Sequence, residues 1–247
     1  ASATLTGEDA NGSVKLTYTV DSTSIEGKTA VVYETLYVND VAVASHTDLN
    51  DAEQTVHYPK IRTSASDVTT KDGIGTVNGT VALTDKVSYW NLIPGQTYTL
   101  KGKVYEKSSK TAVSSEVVKE FTPDTVSGFL NLDFNFKYDA KGKDLVVFED
   151  LYYGGVKVAS HSDINDNDQT LHYPGIQTTA TDTNSGTHTG TIGKEVTITD
   201  TVKYSNLVVG KEYALSGKLM NKATGKALLV DGKEITSTTK FTADKKD

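Results

Sequence analysis

The chain contains an internal repeat of domain size, and this feature constrains its fold more than any other. Residues 31–67, VVYETLYVNDVAVASHTDLNDAEQTVHYPKIRTSASD, align without a gap with residues 146–182, VVFEDLYYGGVKVASHSDINDNDQTLHYPGIQTTATD. The offset is 115 residues, and it continues from Asp85 to Asp200 and from Asn91 to Asn206. A period of this length indicates tandem domains rather than the turns of a solenoid.

Alternating polar and apolar residues predict that these domains are built from β-strands. The segments SVKLTYTVD, FLNLDFNFKYD, TYTLKGKVYE and EYALSGKLMN all alternate with a period of two. Turn-forming residues such as Pro94-Gly95 and Asp231-Gly232 separate them at the spacing of an immunoglobulin-like domain. We therefore expect an all-β chain of tandem immunoglobulin-like sandwiches.

Composition excludes several classes of protein. The net charge is −7, from 25 basic and 32 acidic side chains without a basic stripe, so we expect no nucleic acid partner. No apolar run approaches the roughly 20 residues needed to span a bilayer, and the polar start ASATLTGEDANGS is not a signal peptide. The chain has no cysteine. An extracellular β-domain without disulfides must take any covalent clamp from other chemistry.

The repeat divides the chain into one complete domain and two pieces. Residues 59–173 contain a full period, residues 1–58 match only its second half, and residues 174–247 match only its first half. The two end pieces are complementary halves of one domain. Two interpretations are open. The chain ends were placed without regard to the domain boundary, or neighbouring chains complete each other's half-domains. The complementarity favours the second. Half-sandwiches expose strand edges and core, which are costly to leave bare. Because a rod-like central domain would hold the two halves at opposite ends, we expect head-to-tail pairing between chains rather than closure within one chain.

Polar side chains that can take part in a reaction recur at fixed positions in both copies. They are Glu34 and Glu149, His46 and His161, Asp51 and Asp166, and Gln54 and Gln169. A strand with the pattern I-x-T-x-A-x-D follows each glutamine. In this strand Thr63 or Thr178 shares a face with two apolar residues, which predicts a buried hydroxyl. His57 and His172 also recur, without an obvious partner, and we expect structural roles for them.

These stretches, VVFEDLYYGGVKVASHSDINDNDQT and the PxIxTxAxD strand, resemble the Thr–Gln ester-bond domains, the VaFE-type repeats of Gram-positive surface adhesins. The resemblance implies a CnaB-like immunoglobulin fold and a cell-wall-anchored, extracellular protein. It also implies an intramolecular ester between Thr63 on the first strand and Gln169 on the last. The residues that would assist are Glu149, His161 and Asp166.

The residue types are suited to such a reaction. An imidazole such as His161 can take the proton that makes a threonine hydroxyl nucleophilic. The Gln carbonyl must be polarised as negative charge builds on its oxygen. We expect Asp166 and Glu149 to share a proton for this purpose, because two close carboxyls cannot both ionise. Ammonia leaves once per domain, so the chain is not a turnover enzyme. The closed loop of about 107 residues stabilises the fold by about 4–5 kcal/mol on the chain-entropy model.

The second set of these residues is divided between the two end pieces. Thr178 lies in the C-terminal piece, and Gln54 lies in the N-terminal piece with its assisting groups, Glu34, His46 and Asp51. We expect a Thr178–Gln54 ester between neighbouring chains, which gives head-to-tail polymers or rings. The partners are then other copies of the chain or adjacent repeats, and the sequence does not identify a host ligand.

Three other functions fit the sequence less well than an ester-linked shaft. A Lys–Asn isopeptide domain needs a core-facing lysine early and an asparagine late, whereas this chain offers threonine and glutamine. A ligand-binding adhesin tip usually carries irregular loops, whereas these copies are regular. A hydrolase using His161 and Asp166 lacks a pocket signature. No cofactor is expected, and no metal either, because residues 163–174 lack the central glycine and final glutamate of a calcium loop.

Overall fold

A computed structural model of the chain describes residues 11–246. Residues 1–10, which form most of the polar start discussed above, lie outside this range, as does Asp247. No helix within the described range is long and apolar enough to cross a membrane. Regular structure is almost entirely β-strand, which confirms the predicted all-β class.

Residues 11–58 of the N-terminal piece form two short antiparallel strand pairs. This range contains four strands and two 3-10 turns. The strands are β1 (Thr29–Val31), β2 (Glu34–Val38), β3 (Val41–His46) and β4 (Thr55–His57), and the turns are Ser22–Ser24 and Ala52–Gln54. β1 pairs with β4, and β2 pairs with β3.

The central repeat, residues 59–173, forms a sandwich of two sheets. Its strands are β5 (Lys60–Asp67), β6 (Thr80–Trp90), β7 (Tyr98–Glu106), β8 (Thr111–Ala112), β9 (Val117–Phe121), β10 (Gly128–Lys137), β11 (Lys143–Tyr153), β12 (Val156–His161) and β13 (Thr170–Tyr173). One sheet has the order β10-β6-β5. The other has the order β12-β11-β7-β8, with β13 also pairing with β11 and β9 also pairing with β7.

The alternating residues of these strands form the core of the sandwich. On β6, the inward positions Val81, Leu83 and Val87 are buried, and the intervening side chains are at least partly exposed. On the facing sheet, Leu100 and Leu151 pack into the same cluster. The strand predictions for FLNLDFNFKYD and TYTLKGKVYE are confirmed as β10 and β7.

As far as residue 246, where the described part of the C-terminal piece ends, its strands form only isolated pairs. Its strands are β14 (Gly175–Asp182), β15 (Ile198–Ser205), β16 (Glu212–Lys218), β17 (Met220–Asn221), β18 (Lys226–Ala227), β19 (Leu229–Val230), β20 (Lys233–Glu234) and β21 (Thr236–Thr242). The pairs are β14 with β15, β16 with β21, β17 with β18, and β19 with β20.

Each end piece lacks the strands that cover the matching half of the central repeat. In the central repeat the most extensive pairings are β10 with β6 and β11 with β7. Both join a strand from the first half of the repeat to a strand from its second half. Among the described residues, no sheet pairs a strand of the N-terminal piece with one of the C-terminal piece. As a result Ile176 is 50% exposed where its equivalent Ile61 is 2% exposed.

The strand predicted at SVKLTYTVD is wrong for this structure, because residues 13–20 have no regular structure. The equivalent segment of the central repeat is β10, which gains its strand geometry by pairing with β6. The equivalent of β6 is β15, which lies in the other end piece. An isolated strand without a partner leaves its backbone groups to water, so alternation alone does not make it a strand.

Candidate cross-link site

Thr63 lies on the inward face of β5, the first strand of the central sandwich. Its neighbours on that face, Ile61 and Ala65, are buried, and Thr63 itself is 5% exposed. The outward neighbour Ser64 is exposed. The buried hydroxyl predicted from the I-x-T-x-A pattern is therefore confirmed for Thr63. It is wrong for Thr178, which lies exposed on β14 because no second sheet covers that strand.

Gln169 is placed by two tight polar turns just before the last strand. The backbone N–H of Asp168 donates to Asp166 Oδ1 at 2.8 Å, and the hydroxyl of Thr170 donates to the Asp166 carbonyl at 2.6 Å. These bonds turn the Gln169 side chain into the core, where it is fully buried. The backbone N–H of Ala65 donates to the Asp168 carbonyl at 2.9 Å, which holds the first strand against this turn.

The hydroxyl and the carboxamide are in direct contact in the core. Gln169 Nε2 donates to Thr63 Oγ1, and it also donates to Glu149 Oε2 at 2.6 Å. Thr63 Oγ1 lies 3.0 Å from the same Glu149 oxygen. The amide nitrogen, which must leave if an ester forms, thus lies beside the nucleophilic oxygen.

His161 connects the hydroxyl to a carboxylate. Its Nδ1 lies 3.0 Å from Thr63 Oγ1, and its Nε2 lies 3.0 Å from Asp166 Oδ2. Because a carboxylate only accepts hydrogen bonds, Asp166 favours the tautomer with the proton on Nε2. Nδ1 is then free to accept the threonine proton, as in a Ser-His-Asp triad. β11 and β12 hold this arrangement, since Glu149 and His161 are paired in register.

The expected proton sharing between Asp166 and Glu149 is wrong, because Asp166 pairs with His161. Asp85 is the carboxyl group beside Glu149, and the two side chains are 0% and 1% exposed. Asp85 lies outside the motifs that predict the other site residues. The signal was present in the sequence, because Asp85 occupies an inward position between Leu83 and Val87, and Asp200 repeats it.

Burial raises the pKa of Glu149 well above its usual value, and the nearby Asp85 carboxyl raises it further. Burial also raises the pKa of Asp85. If both groups were ionised, neither Asp85 oxygen nor Glu149 Oε1 would have a hydrogen-bond donor. One shared proton removes this conflict, because a carboxyl group can donate to its neighbour. Gln169 Oε1 is another buried acceptor without a partner, so the cluster is also short of donors where the oxyanion would form.

The N-terminal piece keeps its part of the second site in the same geometry. Gln54 Nε2 donates to Glu34 Oε2 at 2.5 Å, and His46 Nε2 lies 3.0 Å from Asp51 Oδ2. Glu34 and His46 are paired in register, as are their equivalents. Thr178 is not brought to this group. It lies exposed on β14 in the other end piece.

A comparison with protein families identifies the family of the chain. The family model of the T-Q ester bond containing domain matches residues 1–58, 59–173 and 174–247. The chain belongs to this family.

Solved structures similar to this member of the T-Q ester bond containing domain family include two of a bacterial adhesin from Mobiluncus mulieris, which contains intramolecular disulfide, isopeptide and ester bond cross-links. They share 14% sequence identity with this chain and cover 76% of it, with TM-scores of 0.41 and 0.42. The alignments cover 94% and 96% of the adhesin chains. No curated protein sequence matches the chain.

Proposed function

We propose that the chain is a shaft segment of a Gram-positive cell-surface adhesin, anchored to the cell wall, and that each repeat cross-links itself through a Thr–Gln ester. The contact of Thr63 Oγ1 with the Gln169 amide in a closed, acid-lined core carries this proposal. The position of the ester in the fold would make a shaft more resistant to pulling force. The ester joins the first strand to the turn before the last strand, so pulling force passes through a covalent bond instead of strand hydrogen bonds.

The reaction balances without any cofactor. His161 Nδ1 takes the hydroxyl proton of Thr63, and Oγ1 forms a bond with the Gln169 side-chain carbonyl carbon. The proton shared by Asp85 and Glu149 stabilises the oxyanion, as a donor held near the carbonyl does in acyl transfer. The C–N bond then breaks, and the nitrogen leaves with the transferred proton as ammonia. Because Gln169 is buried, water has little access to hydrolyse the product.

The site supports one reaction per domain and not turnover. Both reacting groups belong to the chain, and their burial leaves no room for an outside substrate. The isopeptide alternative lacks its nucleophile, because the buried polar side chains among residues 11–246 include no lysine. The proposed chemistry is therefore an ester formed between two groups of the same domain.

A second ester, between Thr178 of one chain and Gln54 of another, follows from the division of the repeat. Its proposed assisting groups are Glu34, His46 and Asp51, with Asp200 in the position of Asp85.

Two observations support head-to-tail pairing. The Gln54 side of the site is already arranged, and both end pieces lack the strands that cover their core faces. Joined halves would place Leu36 opposite Leu215, as Leu151 lies opposite Leu100.

Two blocked chains test this pairing sharply. A Thr178→Val chain keeps only the Gln54 half of the second site, and a Gln54→Leu chain keeps only the Thr178 half. Each is expected to remain a single chain on a denaturing gel, whereas their mixture is expected to give covalent dimers and nothing longer. The unaltered chain is expected to give a ladder. A mixture without dimers, beside an unaltered chain that runs as a closed single ring, would show that pairing occurs within one chain.

A further inference from the structure

The two junctions where one repeat meets the next share a buried asparagine in an unusual backbone conformation. At the end of β6 and of β15, an asparagine adopts the left-handed backbone conformation, with φ of 61° at Asn91 and 59° at Asn206. Both side chains are almost fully buried at the junction. Neither residue takes part in the cross-link chemistry, so their shared geometry needs another explanation.

Each asparagine reaches across the junction to the preceding repeat. Asn206 Nδ2 donates to the carbonyls of Lys143 and Tyr173, at 2.7 and 3.3 Å. Asn91 Nδ2 donates to the carbonyls of Lys28 and Tyr58, at 2.6 and 3.1 Å. Lys143 and Tyr173 are opposite each other on β11 and β13. One amide group therefore bridges the ends of two paired strands of the neighbouring domain.

Asparagine is suited to this position for two reasons. A left-handed conformation is unfavourable for most residues, and asparagine tolerates it better than most other side chains do. Its amide also supplies two donors and one acceptor, whereas glycine would supply none. The combination of conformation and hydrogen bonding indicates a clamp and not merely a turn.

Further contacts cross each junction, with different chemistry at the two. At the second junction Lys246 Nζ of the C-terminal piece lies 2.6 Å from Asp144 Oδ2 of the central repeat. Within the central repeat, His172 Nδ1 lies 2.7 Å from the other oxygen of Asp144, Oδ1. Burial works against the charge of Asp144, but hydrogen bonds from His172, Lys246 and Asn206 hold its pKa below the usual range.

At the first junction the position of Asp144 is taken by Thr29. Its hydroxyl donates to Asn91 Oδ1 at 2.8 Å, and His57 Nδ1 lies 3.1 Å from the same oxygen. Lys60 and Glu26 form a charged pair across this junction at 3.4 Å, and both side chains are about one-third exposed. The asparagine is thus the common element, while its surroundings vary from one junction to the other.

We propose that Asn91 and Asn206 are interdomain clamps, and that the strand ends at Lys143 and Tyr173 form a docking surface for the next copy of the repeat. The clamps hold successive repeats in one fixed orientation. The two junctions lie at opposite ends of the central sandwich. β5 begins at the first, and the loop that follows β5 hydrogen-bonds to His172 at the second. A clamped chain therefore keeps its two half-domains apart, which favours open polymers over rings.

Distances between spin labels across the second junction test the clamp in the full chain. The absence of native cysteine allows labels at Val118→Cys and Lys203→Cys, both exposed positions outside the junction. Labelled chains are diluted with unlabelled ones so that only distances within one chain contribute. The unaltered asparagine is expected to give one narrow distance distribution.

Two substitutions separate the amide from the backbone conformation. Asn206→Gly keeps the left-handed conformation and removes the hydrogen bonds, and Asn206→Ala removes both. Both are expected to lose the narrow distribution. Loss of one ammonia from the central domain, read by mass, shows that the central domain is folded in each variant. A distribution that stays narrow in Asn206→Gly would overturn the clamp.

The first junction provides an independent repeat of the test. Asn91→Gly, with labels at Ala42→Cys and Val118→Cys, is expected to broaden that distribution in the same way. A distribution that stays narrow in Asn91→Gly would likewise show that packing alone orients the repeats, and it would overturn the clamp at this junction. This result would leave the ester chemistry untouched, because neither asparagine contacts the cross-link.

Discussion

Asp85 and Glu149 come from different sheets of the central sandwich, and their carboxyl groups interact in its core with almost no exposure to solvent. Two such groups cannot both carry a charge at low cost. This pair therefore holds a proton at a pH where ordinary carboxyl groups have lost theirs. In the proposed reaction that proton stabilises the oxyanion formed on Gln169.

Removing one member of the pair is expected to slow ester formation. Asp85→Asn takes away the second carboxyl, so Glu149 loses the neighbour that helps to keep it protonated. A slowing of about 10²–10³-fold is expected, as for the loss of one oxyanion donor. The rate is measured from the appearance of the species lighter by one ammonia after refolding. Asp150→Asn, the outward neighbour of Glu149, is the matched control and is expected to react at the normal rate.

The raised pKa of Glu149 predicts how stability depends on pH before the ester forms. A group whose pKa is raised in the folded state stabilises it below the unfolded pKa, and this contribution is lost as the pH rises through the folded value. We expect the unfolding free energy of Thr63→Val, relative to Thr63→Val/Glu149→Gln, to fall by up to about 1.4 kcal/mol per pH unit above about pH 4.3. Denaturant titrations of the two chains measure this difference. A constant difference would show that Glu149 ionises normally.

His161 is expected to act as the base, and His172 is not. His161→Ala removes the group 3.0 Å from the Thr63 hydroxyl, and we expect ester formation to slow by about 10²–10⁴-fold. His172→Ala alters the junction with the next repeat and is expected to leave that rate unchanged. Time courses of intact mass for the two variants compare them directly. Equal rates in both variants would remove His161 from the mechanism.

The ester is expected to contribute directly to stability. Thr63→Val keeps the shape of the side chain and removes the hydroxyl, so the loop between residues 63 and 169 stays open. The unfolding free energy is expected to fall by about 4–5 kcal/mol. Ser64→Ala, the outward neighbour, serves as the control. If Thr63→Val were as stable as the unaltered chain, the cross-link would be absent or would contribute nothing.

The sequence predicted the groups that belong to one strand better than the pairs that join strands. Alternation along β5 placed Thr63 in the core, because side-chain direction depends only on the period of the strand. The pairing of His161 with Asp166 instead of Asp166 with Glu149 depends on the turn before β13. The partnership of Asp85 with Glu149 depends on how the two sheets face each other. Neither relationship is encoded in the spacing along the chain.

Some residues without a role in the predicted reaction also have structural partners. His172 had no visible partner in the sequence, yet the structure pairs it with Asp144 at the junction between repeats. An acid at an inward strand position, such as Asp85, was a usable signal that a buried site was present. The duplicated Asn91 and Asn206 were another, although their role at the junctions depends on the contacts between domains.

Peptide mapping of the incubated chain tests the Thr63–Gln169 ester most directly. In a Thr178→Val background, which blocks the second ester, the chain should lose the mass of one ammonia. Proteolysis should then release one peptide pair joined through Thr63 and Gln169, which hydroxylamine separates because it cleaves esters and leaves amides intact. Recovery of Thr63 and Gln169 in separate, unmodified peptides from the folded chain would contradict the proposed cross-link.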